Sequence, residues 1–404
     1  MSGTARVVRL LAGVLGRTVA AGLSLALLVG TGYGWSVQRT LTDRVVTSDV
    51  ITTRTAAPEP EQPFTALLVG LDSRTDASGN PLPPELLAAL RAGVDEGQLH
   101  TDTIILLHVP AGPDARAVAI SIPRDSFVTL ADGSGPHKIN SAYGRATDVA
   151  KAALQKQGVT GAELDRRSRD AGRRALVETV EKFTRLPVDH YAEINLAGFV
   201  EMTEAIGGVP VCLRRPEREV RSGVDLPAGP QTVRGPDALA FVRQRHGLED
   251  GDFDRIARQQ AFLAGMASRM LSTGTLSDPG AVRRLVDAVT RNVVLDRGWD
   301  LDRLVVQFGR MSGGDIRFVT IPTGTPALET PVDGIAVQVD TAEVRAFVRD
   351  TIAATDTAAA PTSSPPTSPT PTAAPTASAS GTASAEPSAA PTSGISAAGV
   401  TCVD

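Results

Sequence analysis

The chain is short of lysine, of cysteine and of net charge, and each shortage excludes something. Its 404 residues include only four lysines, Lys138, Lys151, Lys156 and Lys182, so arginine carries most of the positive charge. With abundant alanine, glycine and proline, this is the residue usage of a high-GC genome. Arginine number therefore argues nothing by itself, and only arginine placement counts. The formal net charge of −5 speaks against bulk nucleic-acid binding. No G-x-x-x-x-G-K-[ST] motif occurs, which excludes a P-loop nucleotide enzyme. There is no internal repeat. Two cysteines, Cys212 in GGVPVCL and Cys402 in GVTCVD, allow a single internal disulfide at most.

One run lacks charge altogether. Residues 18–38, TVAAGLSLALLVGTGYGWSVQ, are long enough to cross a bilayer as a helix, which takes roughly 20 residues. Arg6, Arg9 and Arg17 precede the run and keep residues 1–17 in the cytoplasm, while Tyr33 and Trp35 lie toward the far interface. A cleaved signal peptide is the competing reading; the length of the run and the lack of a clear small-x-small site weigh against it. On either reading the rest of the chain is extracytoplasmic. It divides into a linker at 39–61, one domain at 62–352, and a Pro/Thr/Ser/Ala-rich tail at 353–404 that cannot bury a core and is expected to be disordered. In an oxidising compartment Cys212 and Cys402 can pair, looping the tail back onto the domain; the alternative is two thiols, one buried and one on a flexible end.

Within the domain, FTALLVGL (64–71), DTIILLHV (102–109), ARAVAISIP (115–123), HYAEINL (190–196), VPVCL (209–213) and DIRFVTIP (315–322) read as strands. Helical spacing appears over 141–157, over 170–185 before Pro187, over 197–208 ending at Gly207 and Gly208, and over 254–272. Strands and helices mixed in this way predict a layered α/β domain around a central sheet.

The segment Val242 to Gln260, VRQRHGLEDGDFDRIARQQ, places Arg243, Arg245, Arg255 and Arg258 among Glu249, Asp250, Asp252 and Asp254. Arg243 and Arg245 alternate, and on an extended strand they share a face. Arg255 and Arg258 are three apart and share a face on a helix. Guanidinium forks suit bidentate binding of phosphate oxygens; a solvated surface with internal ion pairs is the plainer alternative. Other polar residues gather at strand ends: Asp72 and Arg74 in GLDSR, Asp102 in HTDTII, and Arg124 and Asp125 in SIPRDS. Taken singly, each fits a turn, a cap or a surface pair.

Taken together, GLDSR, HTDTII, SIPRDS, HKINSAYG and VRQRH…DFDRIARQQ resemble the LytR-CpsA-Psr family of bacterial cell-wall enzymes, in the family's motif order and across essentially the whole domain. The resemblance implies a three-layer α/β/α fold with a central, largely mixed sheet. It implies transfer of a glycopolymer from a polyprenyl-pyrophosphate carrier to peptidoglycan, dependent on magnesium or manganese, with pyrophosphatase activity as a side reaction. Asp72 and Asp102 match the family's metal carboxylates, and Arg124, Arg243, Arg245 and Arg255 its pyrophosphate-binding arginines. Asp125, or one of the metal carboxylates, is a candidate base. Arg74, Lys138, Asn140, Tyr143, Arg258 and Gln259 lie in the motifs and take supporting substrate-binding roles.

The insertion between Asp72 and Asp102 is longer than in many relatives, and His100 stands where Arg is usual. PPELLAALRAG within it is a candidate helical flap, and the helices at 175–186, 197–206 and 256–270 are candidates to line an apolar slot for the polyprenyl chain. Two further readings stay open: a lipid-pyrophosphate hydrolase that uses water in place of a sugar, and a non-catalytic membrane regulator that only binds lipid. The polymer itself is not readable, although high-GC usage suits an actinobacterial wall.

Overall fold

The computed structural model describes residues 43–51, 62–91, 99–112, 116–249, 251–270, 278–299, 316–359 and 400–404, together with 32, 39, 40, 395 and 396. The expected membrane span at 18–38 lies almost wholly outside them, and no described helix is long and apolar enough to cross a bilayer.

The described chain runs β1 (Val46–Ser48), β2 (Phe64–Leu71), α1 (Pro84–Ala89), β3 (Thr101–Val109), β4 (Ala117–Ser121), β5 (Phe127–Thr129), β6 (Pro136–Lys138), α2 (Ser141–Lys156), α3 (Gly161–Thr184) and β7 (His190–Asn195). There follow α4 (Leu196–Ala205), β8 (Val209–Leu213), β9 (Glu217–Glu219), β10 (Val224–Leu226), β11 (Gly229–Val233), α5 (Gly235–Arg243), α6 (Asp252–Met270) and α7 (Pro279–Asn292). The last elements are β12 (Val293–Asp296), β13 (Ile316–Thr320), β14 (Leu328–Thr330), β15 (Gly334–Ala336), α8 (Thr341–Ala359), β16 (Ile395–Ser396) and β17 (Cys402–Val403).

One sheet organises the fold, in the order β1-β12-β7-β2-β3-β4-β13-β16. It is mixed: β2 is parallel to β7 but antiparallel to β3, and β4 is antiparallel to β3 but parallel to β13. The period of two in β2 sorts its side chains between two cores. Leu67, Val69 and Leu71 join Ile104, Leu106 and Ile120 under α2, α3 and α8, where Tyr143, Leu176, Val180, Phe183, Val344 and Val348 close over them. Phe64 and Ala66 join Ile105, Leu107, Ala119, Ile316 and Phe318 on the opposite face, covered by Ala264 of α6. Leu67, Leu106 and Ile120 are fully enclosed, and each is worth roughly 1.5–3 kcal/mol of hydrophobic stabilisation.

A third core lies beside the sheet, where α4, α5 and α6 pack on the small sheet β11-β8-β17 through Val200, Phe241, Phe262 and Val403. Its members include residues of the 197–206 and 256–270 helices, whereas Leu176, Val177, Val180 and Phe183 lie on the far face of the main sheet. The three helices expected to line one apolar slot therefore contribute to two separate cores.

Three boundaries differ from expectation. The segment assigned to a linker supplies an edge strand, β1, paired parallel with β12. α3 begins at Gly161, well before residue 170, and ends at Thr184, capped by Arg185, which takes the left-handed conformation at φ 62° two residues before Pro187. α8 continues to Ala359, past residue 353, because its inner face is anchored; Asp356 lies 2.9 Å from His108 on β3, and Thr355 is buried. The end of the chain also returns. β17 pairs parallel with β8, and Cys402 is bonded to Cys212.

Candidate active site

The carboxylates sit where strands end. β2 ends at Leu71, and Asp72 follows it; its N–H donates to the carbonyl of His100 at 3.2 Å. On the neighbouring strand the register slips, with Gly70 opposite Thr103 and Leu71 opposite Thr101. Asp102 is the extra residue of that bulge, a device that re-aims a side chain at a sheet's rim. Gly144 of α2 makes the approach possible, because a Cβ there would lie 2.5 Å from the Leu99 carbonyl, in the segment leading to Asp102.

Each carboxylate meets cations from elsewhere in the chain. Arg243 Nη2 stands 3.9 Å from Asp72 Oδ2. Arg124 Nη1 donates to Asp102 Oδ1. Asp125 is faced by Arg124 Nε at 3.7 Å, Lys138 Nζ at 3.6 Å and Arg245 Nη2 at 3.6 Å. Arg243 and Arg245 thus converge on the strand ends, though not as alternating residues of a strand. Arg243 is the last residue of helix α5, which Pro236 opens, and Gln244 turns the backbone to φ −59°, ψ 132°.

Burial raises the Asp72 carboxyl above the ordinary carboxylate range, and the nearby Asp102 charge adds to this, while Arg243, Arg74 and His100 pull the other way. Asp72 Oδ1 is buried without a hydrogen-bond partner among the described residues. Two neighbouring carboxylates, one of them buried with an orphaned oxygen, fit a hard divalent cation that keeps several of its waters. No group of three or more His, Cys, Asp or Glu side chains suited to a metal occurs among the described residues, so a cation here would rest on Asp72 and Asp102 with water.

The remaining candidates divide. Arg74 is close enough to Asp72 to lower its pKa. Asn140 is buried just before α2, and its peptide N–H donates to the Arg124 carbonyl at 3.1 Å. Gln259 Nε2 donates to the Val242 carbonyl at 3.4 Å, tying α6 to the end of α5. Arg255 is buried on the same α6 face as Gln259, four residues earlier. Tyr143 and Arg258 go inward instead. Tyr143 is fully buried, packed where α2 crosses α3 at Gly172 and close to Arg173 and Glu193. Arg258 is bound to Gln244, Glu217 and the main chain at Asp404. Both side chains are thus enclosed, with internal surroundings rather than an open face. The candidate flap forms α1 and packs down through Leu86, Leu87 and Leu90, with the Leu90 carbonyl accepting from Arg243 Nη1 at 3.4 Å.

Beneath the Asp72 loop lies a buried polar layer that the sequence does not announce. Arg169 donates to Ser73 Oγ and Thr75 Oγ1, each at 2.7 Å, and pairs with Asp165 at 2.8 Å. One turn on, Arg173 forks onto Glu193 at 3.0 and 2.8 Å, and Tyr191 donates to the same carboxylate at 2.8 Å. In sequence these arginines belong to the charged run RRSRDAGRR, which carries no sign of burial; only Gly172, admitting α2 at close range, hints at it.

The LytR_cpsA_psr family model matches residues 36–351. The cell wall biosynthesis protein LcpA of Corynebacterium glutamicum is 45% identical over 299 residues, covering 72% of this chain and 56% of that protein. A polyisoprenyl-teichoic acid–peptidoglycan teichoic acid transferase, TagU of Enterococcus faecalis, is 26% identical over 240 residues, covering 59% of this chain and 63% of the relative. The chain thus spans little more than half the length of the curated relatives it matches. Among solved structures, TagT bound to LI-WTA aligns with a TM-score of 0.52 at 20% identity over 77% of this chain and 98% of its own. B. subtilis TagV aligns at 0.51 and 23%, over 74% and 98%. These two likenesses establish the mixed α/β fold.

Proposed function

The chain belongs to the LytR-CpsA-Psr family, and from that premise we propose that it transfers a glycopolymer from a polyprenyl-pyrophosphate carrier to peptidoglycan, at the outer face of the membrane. The observation that carries the proposal is the meeting of three strand-end carboxylates, Asp72, Asp102 and Asp125, with arginines from distant segments, Arg124, Arg243 and Arg245. Such a set suits a ligand that is both polyanionic and metal-bound.

In the proposed reaction a hydroxyl oxygen of the wall sugar attacks the phosphorus next to the glycopolymer. A new O–P bond forms, the bridging P–O bond breaks, and polyprenyl phosphate leaves with the electron pair. Arg124, Arg243, Arg245 and Arg255 hold the non-bridging oxygens and stabilise the charge that shifts between them. Magnesium or manganese on Asp72 and Asp102 would supply Lewis-acid neutralisation of the diphosphate when bound. The proton of the attacking hydroxyl passes to a carboxylate. Asp125, surrounded by three cations, is suited to orienting the arginines, and its role as base needs it within hydrogen-bond reach of the acceptor. The disulfide between Cys212 and Cys402 supports an oxidising, extracytoplasmic setting, with residues 18–38 as the single membrane anchor.

The test is reconstitution. The full chain in lipid vesicles is given a radiolabelled polyprenyl-pyrophosphate glycan and peptidoglycan, with and without magnesium. Label linked covalently to the wall is the expected result. Phosphate release without linkage would make the protein a hydrolase. Retention of the lipid with neither product would make it a binding regulator.

A further inference from the structure

Arg258 is the largest of the fully enclosed side chains among the described residues. Its Nε donates to the main-chain carbonyl of Asp404, and its Nη1 to Gln244 Oε1 at 2.5 Å. Nη2 lies 3.4 Å from Glu217 Oε1, and the guanidinium carbon stands 5.5 Å from the centre of the Phe241 ring. Glu217 completes a triangle, its Oε2 accepting from Gln244 Nε2 at 2.8 Å.

Gln244 separates Arg243 from Arg245, and it is the residue at which the backbone leaves α5. The two guanidiniums that flank this turn diverge, Arg243 lying 3.9 Å from Asp72 and Arg245 3.6 Å from Asp125. At the opposite end, Asp404 is not loose. β17 pairs with β8, the Arg214 N–H donates to the Val403 carbonyl at 2.9 Å, and Arg214 Nη1 donates to Asp404 Oδ2 at 2.6 Å. Val403 is buried in the third core, and Cys402 is bonded to Cys212. An unbroken line of contacts joins the strand at 402–403 to the arginine pair.

We infer that Arg258 is a positioning residue: clamped by segment 400–404, it sets Gln244 and so aims Arg243 and Arg245. Its role in catalysis rests on the diphosphate reading of that pair. Arg258 touches no reacting atom, and the C-terminal strand acts on the site through it. A guanidinium is needed because Asp404, Gln244 and Glu217 are met by three different nitrogens of one planar fork, which the single nitrogen of an ammonium cannot replace.

Two readouts test this on the full chain, with farnesyl pyrophosphate and magnesium as probe. The first is the affinity of Gln244→Leu, of Arg258→Lys and of a chain ending at residue 399, each with Arg243 and Arg245 intact or both changed to Ala. The second, made without ligand, is amide exchange of residues 243–249. Misaiming two phosphate contacts should weaken binding roughly ten- to hundredfold. On the double-alanine background the same changes should add about twofold at most, because the groups being positioned are gone. Exchange at 243–249 should accelerate in all three variants while 236–241 keeps its protection. Equal losses on both backgrounds, or unchanged exchange at 243–249, would overturn the inference. If the unmodified chain fails to bind the probe while exchange still responds to truncation, the diphosphate reading falls and the positioning link stands.

Discussion

Arg173 and Glu193 form a buried ion pair at the centre of the layer beneath the Asp72 loop, and changing Arg173 to Met tests whether that layer supports the fold. Their side chains are 2% and 5% exposed, and two N–H···O contacts of 3.0 and 2.8 Å join them. Met fills much of the arginine stem's volume but leaves the carboxylate with the Tyr191 hydrogen bond and the more distant Arg169 charge in place of its direct partner. Breaking such a pair from one side costs about 3–5 kcal/mol. At a few degrees per kcal/mol for a domain of this size, melting should fall by about 10 °C. Arg173 holds the Glu193 pKa below the ordinary glutamate value in spite of burial. A depressed folded pKa contributes stability that is present above the unfolded value and lost as pH falls through the folded one. In Arg173→Met the carboxylate loses that support, so its deficit should be largest near neutral pH and shrink in acid, where Glu193 can enter the core protonated. Adding Glu193→Leu removes the stranded charge and should recover most of the loss. Thermal unfolding of the single and double variants across pH decides. A single variant within about 1 kcal/mol of the parent, or a double variant no better than the single, would refute the reasoning.

Arg243→Ala and Arg245→Ala should each lower transfer roughly 100- to 1,000-fold in the reconstituted assay, the scale of losing one charge-stabilising donor. Asp72→Asn should abolish metal-dependent transfer while leaving thermal stability of the metal-free protein equal or higher, since it removes a buried charge beside Asp102; calorimetry with and without magnesium separates the two effects. Because the Asp72 pKa is raised, magnesium affinity should fall with decreasing pH sooner than for an ordinary aspartate, and titration calorimetry over an acidic pH series would register it. Gly144→Ala forces a Cβ to within 2.5 Å of the Leu99 carbonyl and should cost about 1–3 kcal/mol by overpacking, with metal affinity reduced through the displaced Asp102.

Local signals carried much of the fold. β2 and β3 are apolar, β-prone runs bounded by polar turns, so Asp72 and Asp102 could be placed at strand ends from sequence. What escaped depends on distant partners. Arg255 and Arg258 stand three apart on one helix and look alike in sequence. Gln244, Glu217 and Asp404 together hold Arg258 in the interior. Arg169 and Arg173 have the composition of a solvated helix face, and Ser73 and Glu193 bury them. Alternation alone would put Arg243 and Arg245 on one face of an extended strand, whereas Pro236 followed by Asp-Ala-Leu-Ala is the start of the helix that Arg243 ends. The last turns of α8 share the Ala/Thr composition of the segment after them, and the contact from Asp356 to His108 and the burial of Thr355 distinguish them.

Mass spectrometry of lipid co-purified with the full chain from its membrane tests the central claim most directly. The account predicts a polyprenyl diphosphate bearing glycan, retained by the unmodified chain and lost from Arg243→Ala/Arg245→Ala. A monophosphate lipid, or a diphosphate lipid held equally well after both arginines are removed, would contradict it.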